Sequence, residues 1–109
     1  MANIYRNAKV DFTNTDNTTV YTSPSNSRAI VKSILVSDDS GSGDSINVTL
    51  TNASSAIFSL FKSKTIAANA TTELITQPIV LQESEILKAQ ATTAGRLHIV
   101  VSLLEINRD

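Results

Sequence analysis

"SRAIVKSILVSD", residues 27–38, decides the fold. Read as a straight strand, it places Ile30, Ile34 and Val36 on one face with Lys32, and Val31 and Leu35 on the other with Ser33. Successive side chains of a strand point to opposite faces, so two apolar faces mean burial on one side and partial cover on the other. The run therefore reads as a central strand. "GRLHIVVSLLEI" (95–106) has the same two-faced character and reads as a second central strand. "SINVTLTN" (45–52) alternates cleanly, with Ile46, Val48 and Leu50 inward and Asn47, Thr49 and Thr51 outward.

Shorter runs fill the rest. "TTVYTSP" (18–24) carries Val20 and Tyr21 on opposite faces and stops at Pro24. "AIFSLFKSK" (56–64) pairs Phe58 with Leu60 on one face and Ile57 with Phe61 on the other. Residues 71–92 read as two or three short strands broken at Pro78. Ile86, Leu87 and Ala91 also fall at helical offsets, but short length and flanking threonines favour a strand. "NIYRNAKVDFTN" (3–14) sets Tyr5, Asn7, Lys9 and Asp11 against Ile4, Arg6, Ala8, Val10 and Phe12. It reads as a first strand or an extended arm. Turn signals recur every ~8–12 residues, as in a sandwich or jelly roll. The expected fold is all-β: an antiparallel, jelly-roll-like β-sandwich of about eight short strands. Residues 1–14 form the strand or arm, and 15–109 a single sandwich domain.

Composition narrows the function classes. The 109 residues hold one small domain. No cysteine is present, so there is neither a disulfide framework nor a thiolate metal site. A net charge of −1 leaves no electrostatic footprint for nucleic acid or an anionic membrane. No apolar run is long enough to span a bilayer, and the N-terminus lacks a signal-peptide core. Ser, Thr and Asn make up roughly a third of the chain, while charged residues are 17%, below the ~25% usual in globular proteins.

"VSDDSGSGDSINV" (36–48) raises the question of calcium. An EF-hand loop needs oxygen ligands at positions 1, 3, 5 and 12 and Gly at 6. Counted from Asp38 these are Asp38, Ser40, Ser42 and Thr49, with Gly43 at position 6. The acid at position 12 is missing, so no metal ligand is assigned. The plainer reading is a hairpin loop, with Gly41 and Gly43 at positive φ and the aspartates and serines capping their own backbone. His98 is the lone histidine; with Val100, Leu104 and Ile106 on its face and no triad spacing, it reads as a hydrogen-bonded structural residue. Glu83 and Glu85 share one strand face without a cleft and read as solvated edge charges. The sequons at Asn17, Asn47, Asn52 and Asn69 are ascribed to chance in an Asn/Ser/Thr-rich chain. No catalytic residue and no cofactor is expected.

Three segments carry a family resemblance. "TTVYTSPSNSRAIVKSILVSDDS" (18–40) resembles the opening of small virion structural proteins of tailed bacteriophages, of the marine or cyanobacterial type. Its recurring words are Thr19, Tyr21, Thr22 and Pro24, then the apolar strand from Ala29 to Ile34. "INVTLTN" (46–52) resembles the strand that follows. "ILKAQATTAGRLHIVVSLLEI" (86–106) resembles the closing strands with their Ser-x-x-Glu-Ile ending. Such proteins commonly carry an acidic Gly-Asp turn before the penultimate strand, where this chain has Glu83-Ser84-Glu85.

The resemblance implies a capsid decoration, or cement, protein that binds and stabilises the capsid lattice. The alternative is a tail, neck or fibre-associated domain contacting the host. The implied partners are the major capsid protein or other virion proteins, with homo-oligomers expected and a trimer favoured. The implied location is the virion, after synthesis in the host cytoplasm. Residues 1–14 are a candidate for strand addition to a neighbour. Tyr5, Phe12 and Tyr21 are candidate protein-interface anchors, because aromatics are enriched in interface cores; the alternative is that they pack inside their own domain.

Overall fold

The computed structural model describes residues 2–108. Nine strands occur among them. They are β1 (Ala2–Asp11), β2 (Thr18–Thr22), β3 (Ser27–Asp38), β4 (Asp44–Thr51), β5 (Ile57–Ile66), β6 (Thr71–Glu73), β7 (Ile79–Leu81), β8 (Ile86–Ala91) and β9 (Leu97–Asn107). Every pairing is antiparallel. One sheet runs β1-β9-β3, with β6 and β7 both on the far edge of β3; the other runs β2-β8-β4-β5. β6 pairs with Leu35–Ser37 and β7 with Ala29–Val31, so the two act as one interrupted strand. Counted that way there are eight strands in jelly-roll order, as the spacing of turn signals predicts. The segment 84–94 contributes strand β8, not a helix.

β9 lies between β1 and β3, and β3 between β9 and the β6/β7 edge, so the inner side chains of both face the second sheet, while outer ones such as Leu35 and Val100 are shielded only by neighbours within the sheet and stay 38% exposed. The core fills the space between the sheets. Ala29, Val31, Ile34 and Val36 from β3 meet Ile99, Val101 and Leu103 from β9, all at most 2% exposed. Opposite them lie Ile46, Val48, Leu87 and Ala89, all fully buried.

The faces of β3 differ from straight alternation. A bulge at Lys32 interrupts the register with β9 between Val31 and Ser33. One extra residue shifts the parity, so Ala29 and Val31 point inward together with Ile34 and Val36. Without it, Lys32 would share the inner face with Ile34 and Val36. The bulge thus turns out Lys32 and Arg28, the two cations that straight alternation would bury. β5 deviates similarly: Phe61 pairs with Val48 and Phe58 with Leu50, so irregular register puts both phenylalanines on one face.

The loop after β3 is not a hairpin. β3 and β4 belong to different sheets, and residues 39–43 carry the chain across the sandwich. Turn chemistry encodes a reversal of direction, but it does not encode whether the flanking strands pair. The hairpin of the second sheet is β4–β5, closed by Asn52, whose Oδ1 accepts from Ser54 N at 3.0 Å and Ala56 N at 2.9 Å.

Candidate functional site

The crossing loop is built around Asp38. Its side chain is buried and accepts from Ser40 Oγ at 2.5 Å, Ser40 N at 2.9 Å, Gly43 N at 2.7 Å and Asn69 N at 3.2 Å. Gly43 sits at φ 72°, and a Cβ there would lie 3.1 Å from the carbonyl oxygen of Ile66. Only glycine lets the chain approach the end of β5 this closely. The Asp38 carboxylate is thus turned to backbone and hydroxyl donors, and its role is to pin the crossover. Among the described residues no three His, Asp or Glu side chains are grouped to hold a metal ion.

Those donors, first the Ser40 hydroxyl, hold the Asp38 carboxyl down from about 3.8 to about 2. A carboxyl lowered on folding stabilises the protein above its unfolded pKa, and that contribution is lost as pH falls through its folded one. The window here is from about pH 4 down to about pH 2. Thermal melts across this range are expected to show Asp38→Asn with a lower Tm at neutral pH but a shallower acid decline than wild type. Parallel curves would rule out Asp38 as a source of acid sensitivity.

The three aromatic residues singled out in the sequence have three different settings. Tyr5 stands on the outer face of β1, 76% exposed, with Lys32 Nζ 6.0 Å from its ring centroid. Phe12 is 1% exposed and lies in the chain's own core. Its N–H donates to Leu97 O at 3.1 Å and its carbonyl accepts from Gly95 N at 2.8 Å, tying the end of β1 to the start of β9. Tyr21, on β2, is half-buried and links the two sheets. Its hydroxyl donates to Glu105 Oε2 at 2.7 Å, and Arg6 Nε lies 3.0 Å from the same oxygen. Burial, and then the bond to Glu105, push the Tyr21 phenol well above its ordinary pKa. Glu105 is 5% exposed, and this carboxylate is paired as a buried charge must be. The structure does not bring Tyr5, Phe12 and Tyr21 together.

His98 lies half-exposed on the outer face of the β1-containing sheet. Nε2 is 3.1 Å from Asp11 Oδ1, and Nδ1 is 3.7 Å from Asp39 Oδ1. Both ring nitrogens face carboxylates, so neither is directed at a hydroxyl that it could activate as a base. Glu83 pairs with Arg108 at 2.9 Å, and Glu85 accepts from Gln82 N at 2.8 Å, closing the turn between β7 and β8. No helix long and apolar enough to cross a membrane occurs among the described residues.

The sequence pattern pointed to single aromatics and not to the larger feature, an apolar row across the outer face of the first sheet. Register places Tyr5 beside Leu104, Leu104 beside Ile30, and Ile30 beside Val80. The row spans β1, β9, β3 and β7 without interruption. Val80 is 55% exposed, and Leu35 and Val100, cross-strand neighbours, add to the same face. The signal was the apolar second face of residues 27–38 and 95–106.

No family profile and no curated protein sequence matches the chain. Among solved structures, the fold is similar to a chain of Bacillus endospore appendages, described as a novel family of disulfide-linked pili. The TM-score is 0.57 at 8% identity, over 98% of this chain and 89% of that one. Chains of infectious bursal disease virus, Gt and Gx strains, align with TM-scores of 0.40 and 0.39 at 11% and 12% identity. They cover 98% and 96% of this chain, which spans 31% and 38% of theirs, about a third. At these identities the appendage likeness shows the sandwich fold alone. With no cysteine, this chain lacks the means for the disulfide linkage named for those pili.

Proposed function

We propose that this chain is a structural subunit of a bacteriophage particle, a capsid decoration protein that stabilises the capsid lattice by binding to it. The observation that carries the reading is the concentration of exposed apolar side chains on one outer sheet face of a rigid jelly roll. Tyr5, Leu35, Val80 and Val100 all lie there. A soluble monomer rarely displays such a face without a partner. The resemblance of residues 18–40 and 86–106 to phage virion proteins supports the choice of particle. The setting of His98 between two aspartates supports action by binding and not by catalysis. The subunit works as a homo-oligomer against the major capsid protein, where many weak contacts add through multivalency. β1 has no strand on its outer side among the described residues, so its edge is available for strand addition.

Quantitative mass spectrometry of purified particles tests this. Hundreds of copies, in fixed ratio to the major capsid protein, are expected. A few to a few dozen copies would place the subunit on the neck, tail or fibres. Absence from the particle would overturn both assignments.

A further inference from the structure

The outer face of the β1-β9-β3 sheet has an order that matches its own inverse. Across the sheet, one row reads Tyr5, Leu104, Ile30, Val80. A second, four residues further along β1, reads Lys9, Val100, Leu35, Glu73. The first row is apolar throughout. The second has a cation at the β1 edge, an anion at the β6 edge and two aliphatic residues between. Lys9 and Glu73 are both exposed. Glu73 is held in place by Ile34 N, which donates to it at 2.8 Å.

We propose that two copies of this chain pack face to face through this sheet, about a two-fold axis parallel to the strands. Such an axis lays β1 of one copy over the β6/β7 edge of the other, and β9 over β3. Each residue then meets the opposite member of its own row. Tyr5 faces the second copy's Val80, Leu104 faces Ile30, and Val100 faces Leu35. Lys9 faces the second copy's Glu73, twice by symmetry. Lys32 stands near the level of Ser102, and its Nζ reaches back to 6.0 Å from the Tyr5 ring centroid of its own copy, so each copy brings one lysine held by a cation–π contact to the interface. An isologous interface needs this self-complementarity. Sheets packed this way sit about 10 Å apart.

The area is sufficient. Three strands of about ten residues and the six residues of the β6/β7 edge, at about 4.8 Å spacing and about 3.4 Å rise, give about 590 Å² per copy, hence about 1,200 Å² for the pair. Stable interfaces bury about 1,200–2,000 Å². The proposal rests on the homo-oligomer of the particle assignment and deepens it: it gives the apolar outer face to a second copy and leaves the strand edges free for the capsid.

Charge reversal across the axis tests it. Tyr5 and Val80 are exposed, so Tyr5→Glu and Val80→Lys leave the fold intact, checked by circular dichroism. Within one chain they stand three strand spacings apart, about 14 Å, too far for an ion pair. In the pair they would meet. By sedimentation equilibrium, each single variant is expected to raise the dimer dissociation constant at least about tenfold, and the double variant to restore most of it. A wild-type chain monomeric up to millimolar concentration would overturn the proposal. So would an oligomer indifferent to both variants, or a double variant no better than the singles. Variants that lose particle binding but keep self-association would assign the face to the particle instead, and the second copy would be ruled out.

Discussion

Deletion of Lys32 is expected to abolish cooperative folding, although its side chain is exposed. The residue supplies the extra position that lets both halves of β3 face the core. Without it one half must turn over. If the second half turns, Ile34 and Val36 leave the core, each losing about 1.5–3 kcal/mol of burial, and Asp38 leaves the donors that hold the crossing loop. If the first half turns, Ala29 and Val31 leave and Arg28 enters. An unpaired buried charge alone costs about 3–5 kcal/mol. Either route consumes most of the about 5–15 kcal/mol available to a domain. Substituting Lys32 by Thr keeps the count of residues and changes only an exposed side chain, so a shift within about 1 kcal/mol is expected. Amide proton–nitrogen spectra and urea melts of the two variants make the comparison. A dispersed spectrum and a cooperative melt from the deletion would show that the bulge can migrate at little cost.

The same bulge marks the limit of what was legible in the sequence. Period-2 alternation located the strands, because burial on one face leaves its mark on every second residue. Two-faced apolarity identified β3 and β9 as central, since the outer side chains of a central strand are partly shielded by a neighbour on each side, although no second layer among the described residues covers that face. Parity across residue 32 was not legible. A one-residue insertion changes no composition or propensity, and its only trace is a lysine where an apolar residue would otherwise stand. The crossing of residues 39–43 from one sheet to the other was hidden for a related reason. Asp38, Gly41 and Gly43 report local backbone demands, whereas strand partnership is set by the register of distant strands. The apolar outer row is a property of four strands together. Tyr5, Leu104, Ile30 and Val80 come from four remote parts of the chain, and only the sheet order makes them neighbours.

The row of residues within β1 carried more than aromatic identity did, and this leads to the other large effect. Phe12→Ala is expected to cost about 3–5 kcal/mol, the range for removing a buried aromatic side chain. Phe12 follows Ile4, Ala8 and Val10 in the inward-facing set and is 1% exposed. Its backbone also closes β1 onto β9, so the ring and the strand end are fixed together. A truncated side chain leaves a cavity beside Leu97, because a core bounded by two paired sheets cannot collapse far. Tyr5→Ala, seven residues earlier on the outward-facing set, removes a ring 76% exposed and is expected to change the stability of the isolated subunit by no more than about 0.5 kcal/mol. Urea denaturation reads both: the midpoint should drop sharply for Phe12→Ala with the slope unchanged, and hold for Tyr5→Ala. The association constant should reverse the order once corrected for the unfolded fraction, falling for Tyr5→Ala and holding for Phe12→Ala. A Phe12→Ala midpoint close to wild type would mean that the ring contributes little to the core. A matching loss of stability in Tyr5→Ala would mean that its outer face is closed within the single chain, leaving no free surface for a second copy.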